Sequence, residues 1–226
     1  LQERYDRLWL ATIDDIRSGN IEIDPVLATG LLDSRRGLTV MARPSPNVRQ
    51  RVANFLSRLR RLEPEQYYYS PSEFHITVLS LFTATVEYER LLARADEFAA
   101  VVNSIFRKVA PIQIEFTGIT ASRSAIMIQG FCETEALNNV RDALRKELRR
   151  RRLAEGVDQR YRLETAHMTV ARFRVPLRDS GRLAAMLERG RRIPFGAANI
   201  TRVNLVKNDW YQSRRTIETL KEYRLH

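Results

Sequence analysis

A short signature, His-apolar-Thr-Val, occurs twice in this chain, as His75-Ile76-Thr77-Val78 and as His167-Met168-Thr169-Val170. With Thr and Val each near one residue in fifteen, the odds of both internal histidines carrying it by accident are roughly one in fifty thousand. The surroundings repeat as well. A short apolar run at 38–42 and an amphipathic stretch at 47–62 precede the first copy; a run at 126–130 and a stretch at 134–152 precede the second. From run to histidine the distance is 37 residues in one half and 41 in the other. Two halves of equal order predict a duplicated fold with a pseudo-two-fold axis, which sets the two motif strands facing each other across a cleft.

Each motif reads as a strand. The neighbours of the histidines are β-branched or apolar, and turn formers bound the runs: Pro71-Ser72 before the first, Pro176 after the second. Side chains alternate along a strand, so His75 shares a face with Thr77, and His167 with Thr169, while Ile76, Val78, Met168 and Val170 are free to enter a core. Each motif therefore offers an imidazole beside a hydroxyl, about 7 Å apart along the strand. That pair suits an oxyanion and a proton transfer. Strict alternation turns Arg172 away from this face, so a phosphate contact from Arg172 requires a twist or bulge at the strand end.

The rest of the chain follows the same two periods. Helical spacing marks 1–18, with Gly19-Asn20 as a stop, and an irregular connector fills 21–36. In the helix at 47–62, Val48, Val52, Phe55, Leu56 and Leu59 share one face. A helix at 88–109 follows the first motif strand, and then strands at 112–116 and 125–130 around a turn region at 118–124. The helix at 134–152 keeps Leu137, Val140, Leu144 and Leu148 inside and its many arginines outside. The second motif strand spans 166–173, followed by a short helix at 181–188. Strands at 199–206 and 216–225 close the chain, separated by a polar stretch at 207–215. Residues 1–36 form an N-terminal helical extension and connector, and residues 37–226 a single bilobal domain.

Composition narrows the partners. The 226 residues carry a formal net charge of +11, mostly as an arginine excess, which favours a polyanionic partner. One cysteine, Cys132, leaves no internal disulfide and no cysteine-based zinc site. No apolar run approaches the roughly 18 residues of a membrane span, and no charged-then-apolar leader is read, so the expectation is a cytoplasmic protein, taken as a monomer, without membrane contact. Zinc wants three or four protein ligands. Beside the histidines only Glu73 and Glu164 could join, and alternation puts Glu164 on the wrong face, so no metal and no cofactor are expected. Arg43, Arg172 and Lys207 lie at strand ends where a cleft rim would run, and Tyr69, in Tyr67-Tyr68-Tyr69, is a candidate to stack a base, the alternative being that such tyrosines pack a sheet. The run at 149–152 complements a helix C-terminus and reads as solvated charge. His226 is read as inert.

On the two motifs and the duplicated order, residues 37–226 resemble the 2H phosphoesterases, which include 2′-5′ RNA ligase-like proteins and cyclic phosphodiesterases. The resemblance implies an α+β fold of two lobes, with antiparallel sheets lining the cleft and helices outside. It also implies metal-independent hydrolysis of 2′,3′-cyclic phosphates or 2′-5′ phosphodiesters of RNA or small nucleotides, and it admits the reverse ligation. His75 and His167 become acid and base, with a lean to His75 as the acid, and Thr77 and Thr169 become phosphate-binding hydroxyls; Arg172 matches an arginine frequent five places after the second histidine. The chemistry agrees with the residues themselves, since opening a cyclic phosphate needs one base and one acid on opposite sides of phosphorus. Two imidazoles with ordinary pKa values near 6.5 predict activity that rises and falls around neutrality. The other reading is a catalytically silent RNA- or nucleotide-binding module of the same fold.

Overall fold

The computed structural model describes residues 1–159 and 161–226. The N-terminal stretch is two helices, α1 (Gln2–Leu10) and α2 (Ile13–Arg17), where the spacing suggested one. The break between them lets Tyr5 and Trp9 bury against a sheet while α2 packs on a later helix. Within the connector, Asp24 accepts from the backbone N–H groups of Val26 and Leu27 and so starts a short helix, α3 (Pro25–Thr29).

From there the chain runs through β1 (Arg36–Ala42), α4 (Pro46–Leu62), β2 (Tyr67–Tyr68), β3 (Ile76–Thr85), α5 (Glu89–Leu92) and α6 (Ala95–Phe106). The second half contains β4 (Ile112–Ser122), β5 (Ala125–Cys132), α7 (Ala136–Arg150), β6 (Met168–Arg172), α8 (Ser180–Gly190), β7 (Pro194–Ile200), β8 (Arg202–Asn208) and β9 (Glu218–Arg224). Two antiparallel sheets result, one ordered β3-β1-β8-β9 and the other β2-β6-β5-β4-β7. This is the expected α+β duplication: β1 and β3 correspond to β5 and β6, and β8 and β9 to β4 and β7, with β2 added at one edge.

The halves are interlocked rather than side by side. Strand β4 follows the first half but pairs with β5, and β8 follows the second half but pairs with β1. The helices cross over too. Helix α4 leaves β1 and packs on β7 and α8, with Phe55 edge-on to Phe195, whereas α7 leaves β5 and packs on β3 and α6. The apolar stripe of α4 is buried as its spacing requires. Five such side chains contribute on the order of 10 kcal/mol before the entropy of ordering them.

Further sequence expectations change here, and the helix expected at 88–109 is two, α5 and α6, with a break after Leu92. Strand β4 runs through the expected turn region as far as Ser122, because Gly118 takes a left-handed φ of 79° and bulges within it; a Cβ there would stand 2.2 Å from the Arg191 carbonyl oxygen. The region expected as one closing strand at 199–206 is two, β7 and β8. In α7 the arginines are not all outside: Arg141 and Arg145 are buried on the same face as the leucines. Arg141 is satisfied by three backbone carbonyls and the Asn138 amide oxygen, and Arg145 by Asp142, Asp158 and the Leu163 carbonyl, which is what permits a charge there. Among the described residues no helix is long and apolar enough to cross a membrane.

Candidate active site

The two sheets turn one face each toward a cleft of about 810 Å³, and both motifs open into it. Phe74, Ile76 and Val78 are buried on one side of the first motif, and Ala166, Met168 and Val170 on one side of the second. This anchoring leaves His75, Thr77, His167 and Thr169 to line the cleft, as alternation requires. Each imidazole is held by the residue two before it. His75 Nδ1 lies 2.7 Å from the Glu73 carbonyl oxygen, so this nitrogen carries the proton and donates, and His167 Nδ1 lies 2.7 Å from Thr165 Oγ1. Both rings thus keep Nε2 for the cleft.

Alternation then breaks, at the same place in both motifs. Opposite β1, Thr77 pairs with Met41 and Leu79 with Val40, so Val78 is an extra residue; opposite β5, Thr169 pairs with Met127 and Ala171 with Ile126, so Val170 is extra. A one-residue bulge reverses the face of everything after it. Arg172 therefore points into the cleft, and Ser80, five places after the first histidine, lines it from the other side. The Arg172 Nε donates to the Tyr69 hydroxyl at 2.9 Å, and its guanidinium stands 5.7 Å from the Tyr211 ring centre. Burial works against the Arg172 charge, but Tyr69 and Asp24 outweigh it and raise its pKa.

Burial also pushes both histidines down to about 4. For His75 the hydrogen bond to the Glu73 carbonyl and the Glu73 carboxylate oppose the shift, while Arg43 and Arg172 add to it. For His167 every further influence, from Arg141, His75 and Arg172, acts in the same direction as burial. The two imidazoles are alike in position and unlike in surroundings.

Other residues singled out by the sequence fall in different places. Tyr69, 3% exposed, lines the cleft and supports Arg172 rather than offering an open ring face. Arg43 is not part of the lining; its guanidinium donates to the Ser72 carbonyl beside the first motif. Lys207 is turned to the β9 ladder, where its ammonium stands 3.4 Å from the Glu218 carboxylate, its register partner. Glu73 accepts from the Ser70 N–H and hydroxyl and from the Arg214 N–H, and Glu164 is paired with Arg4 and Arg162. Among the described residues no three His, Cys, Asp or Glu side chains gather as a metal site.

The cleft has further walls. Trp210 and Tyr211 enter it from the stretch read as polar, their loop braced by the connector: Tyr211 OH donates to Asp24 at 2.6 Å, and the Trp210 N–H to Asp33 at 3.2 Å. An aromatic pair inside a polar run was the available signal. Helix α1 supplies Arg4, Tyr5, Arg7 and Leu8, and the Tyr5 hydroxyl donates to the Gly130 carbonyl and accepts from the Gly130 N–H.

Comparison with known proteins agrees with this geometry. Residues 48–211 match the family described as the 2′-5′ RNA ligase superfamily. No curated protein matches the chain by sequence. Among solved structures, a Thermus thermophilus protein superposes with a TM-score of 0.59 at 17% identity, covering 84% of this chain and 97% of its own. A protein described as a phosphoesterase gives 0.58 at 14%, covering 84% and 98%. Escherichia coli LigT, crystallised with NADP+, gives 0.54 at 14% identity over 84% of this chain and 98% of its own.

Proposed function

Because the chain belongs to the 2′-5′ RNA ligase superfamily, we propose that it is a phosphodiesterase that hydrolyses 2′,3′-cyclic phosphate or 2′-5′ phosphodiester bonds of RNA or nucleotides by two-histidine acid–base catalysis. One observation carries this reading: two imidazoles, each fixed through Nδ1, share one cleft with Thr77, Thr169 and Arg172. In the proposed reaction His167 Nε2 takes a proton from water, the water oxygen attacks phosphorus, the bond to a ribose oxygen breaks, and His75 Nε2–H supplies that oxygen with its proton. The surroundings support this assignment. His75 has a carbonyl and a carboxylate that favour its protonated form against burial, Arg43 and Arg172, whereas Arg141, His75 and Arg172 all act with burial against protonation of His167. Thr77, Thr169 and Arg172 would hold the non-bridging oxygens as charge develops on them.

The test is turnover of 2′,3′-cyclic nucleotides in the presence of EDTA. His75→Ala and His167→Ala should each lower it by roughly a hundredfold or more, the scale of a lost acid or base, and Thr77→Ala and Thr169→Ala by less. A histidine variant with near wild-type turnover would sink the mechanism. An inactive wild type that still binds oligonucleotides would identify a silent binding module.

A further inference from the structure

Helix α7 carries a cation that the proposed reaction does not use. Arg141 is wholly buried, and its guanidinium spans both motifs from behind. Its Nε donates to the Val78 carbonyl at 2.8 Å, and one Nη donates to the Thr77 carbonyl at 2.9 Å and to the Thr165 carbonyl at 2.8 Å; the other Nη donates to Asn138 at 3.0 Å. Thr77 and Val78 form the first bulge, and Thr165 is the residue that holds the His167 ring. A bulge disturbs the ladder that would otherwise satisfy its backbone groups. In the second motif the bulged Val170 carbonyl is taken by the Tyr69 N–H. In the first motif Arg141 does that work, and with the same planar fork it ties the first motif to the approach of the second.

The pseudo-symmetry makes the residue informative. Matching the buried stripes of α4 and α7, Val48, Val52, Phe55 and Leu59 against Leu137, Arg141, Leu144 and Leu148, puts Arg141 opposite Val52. The other half needs no cation there. The orientation of an asymmetric substrate can divide an acid and a base between two equivalent histidines, and a cation bearing on one ring of the duplication makes the two unlike before any substrate binds.

We propose that Arg141 is a positioning residue that fixes the two motif strands against each other and, bonded to the Thr165 that holds the His167 ring, makes the surroundings of His167 unlike those of His75. The inference rests on the two-histidine reaction proposed above. The charged and titratable groups facing His167 are Arg141 from α7, His75 from the first motif and Arg172 from its own strand. Tyr5 of α1 neighbours Thr165, and Glu164, next in the chain, is neutralised by Arg4 and Arg162. Removing Arg141 takes away the largest influence on His167 after burial.

The experiment compares Arg141→Met and Arg141→Lys by kcat and KM on a 2′,3′-cyclic nucleotide, and by NMR titration of the histidine rings without substrate. Methionine keeps much of the length and loses the charge and donors; lysine keeps the charge but not the fork. The expected result for Arg141→Met is a folded protein whose kcat falls tenfold or more with KM within about twofold, and whose His167 titrates at a higher pH while His75 moves less. Arg141→Lys should leave the His167 titration near wild type and still lower kcat. Wild-type kcat and unmoved titrations in both variants would overturn the proposal. Should Arg141→Met fail to fold, Arg141→Lys decides by its kcat alone, a wild-type value overturning and a lowered value supporting. Should the wild type turn over no cyclic phosphate, the reaction falls, and the His167 titration in Arg141→Met still decides whether Arg141 distinguishes the two rings.

Discussion

An imidazole enclosed by protein and flanked by guanidinium groups gives up its proton at a lower pH than one in water, because its charged form has lost hydration and faces like charge. Both His75 and His167 are in that position, each pushed down to about 4. At pH 7 the free protein then holds both rings neutral, and the singly protonated pair that acid–base catalysis needs grows as pH falls toward that value. The expected kcat/KM profile is therefore a bell displaced to the acid side of 6.5 rather than centred at neutrality, with limits that belong to the pair. Stopped assays across pH 4 to 9 check it, and an optimum above 7 would contradict the burial of the two rings. His75, Thr77, His167 and Thr169 are legible in the sequence because alternation is a local rule and both motifs obey it over their first three residues. Lys207 misleads for a nonlocal reason: only the β8–β9 register shows that Glu218 waits opposite it.

At the scale of elements, the bulges at Val78 and Val170 are what a single sequence conceals. Nothing in Thr-Val-Ala-Arg announces an extra residue, since the bulge is defined by the partner strand and stabilised by Tyr69 in one case and Arg141 in the other. The burial of Arg141 and Arg145 is hidden for a related reason: a helical pattern counts arginine as outward until its acceptors, here carbonyls far along the chain, are known. Strand β5 presses close against the approach to His167. A Cβ on Gly130 would lie 2.1 Å from the Ala166 carbonyl oxygen, one residue before the histidine. Gly130→Ala should force that backbone away and cost about 1–3 kcal/mol of stability, in the range of overpacked cores. A displacement near 1 Å at the ring should lower kcat by up to about a hundredfold. Thermal unfolding and turnover measured together check this, and an unchanged melting temperature would show that the strand yields without strain.

For the molecule as a whole, charge is unevenly placed. Helix α4 carries five arginines and no acid along its 17 residues, whereas Arg150 and Arg151 at the end of α7 are both paired with Glu147. If the substrate is an RNA strand, its affinity should fall steeply with salt as phosphate contacts release counterions, while a cyclic mononucleotide should show little slope. Binding isotherms between 50 and 300 mM salt separate the two, and a flat response for oligonucleotides would mark the arginines as plain surface charge. The duplicated α+β plan is legible from the order of runs and motifs, but the exchange of β4, β8, α4 and α7 between halves is not, because each half would read the same whether it kept its pieces or lent them. That exchange governs how the chain comes together during synthesis. Strand β1, at residues 36–42, lacks its neighbour β8 until residues 202–208 have left the ribosome, and α4 has no β7 to cover until residues 194–200 exist. The first motif is made early, yet the sheet that holds it stays unfinished until β8 and β9 exist, so the cleft cannot be complete before the last strands of the chain have been made.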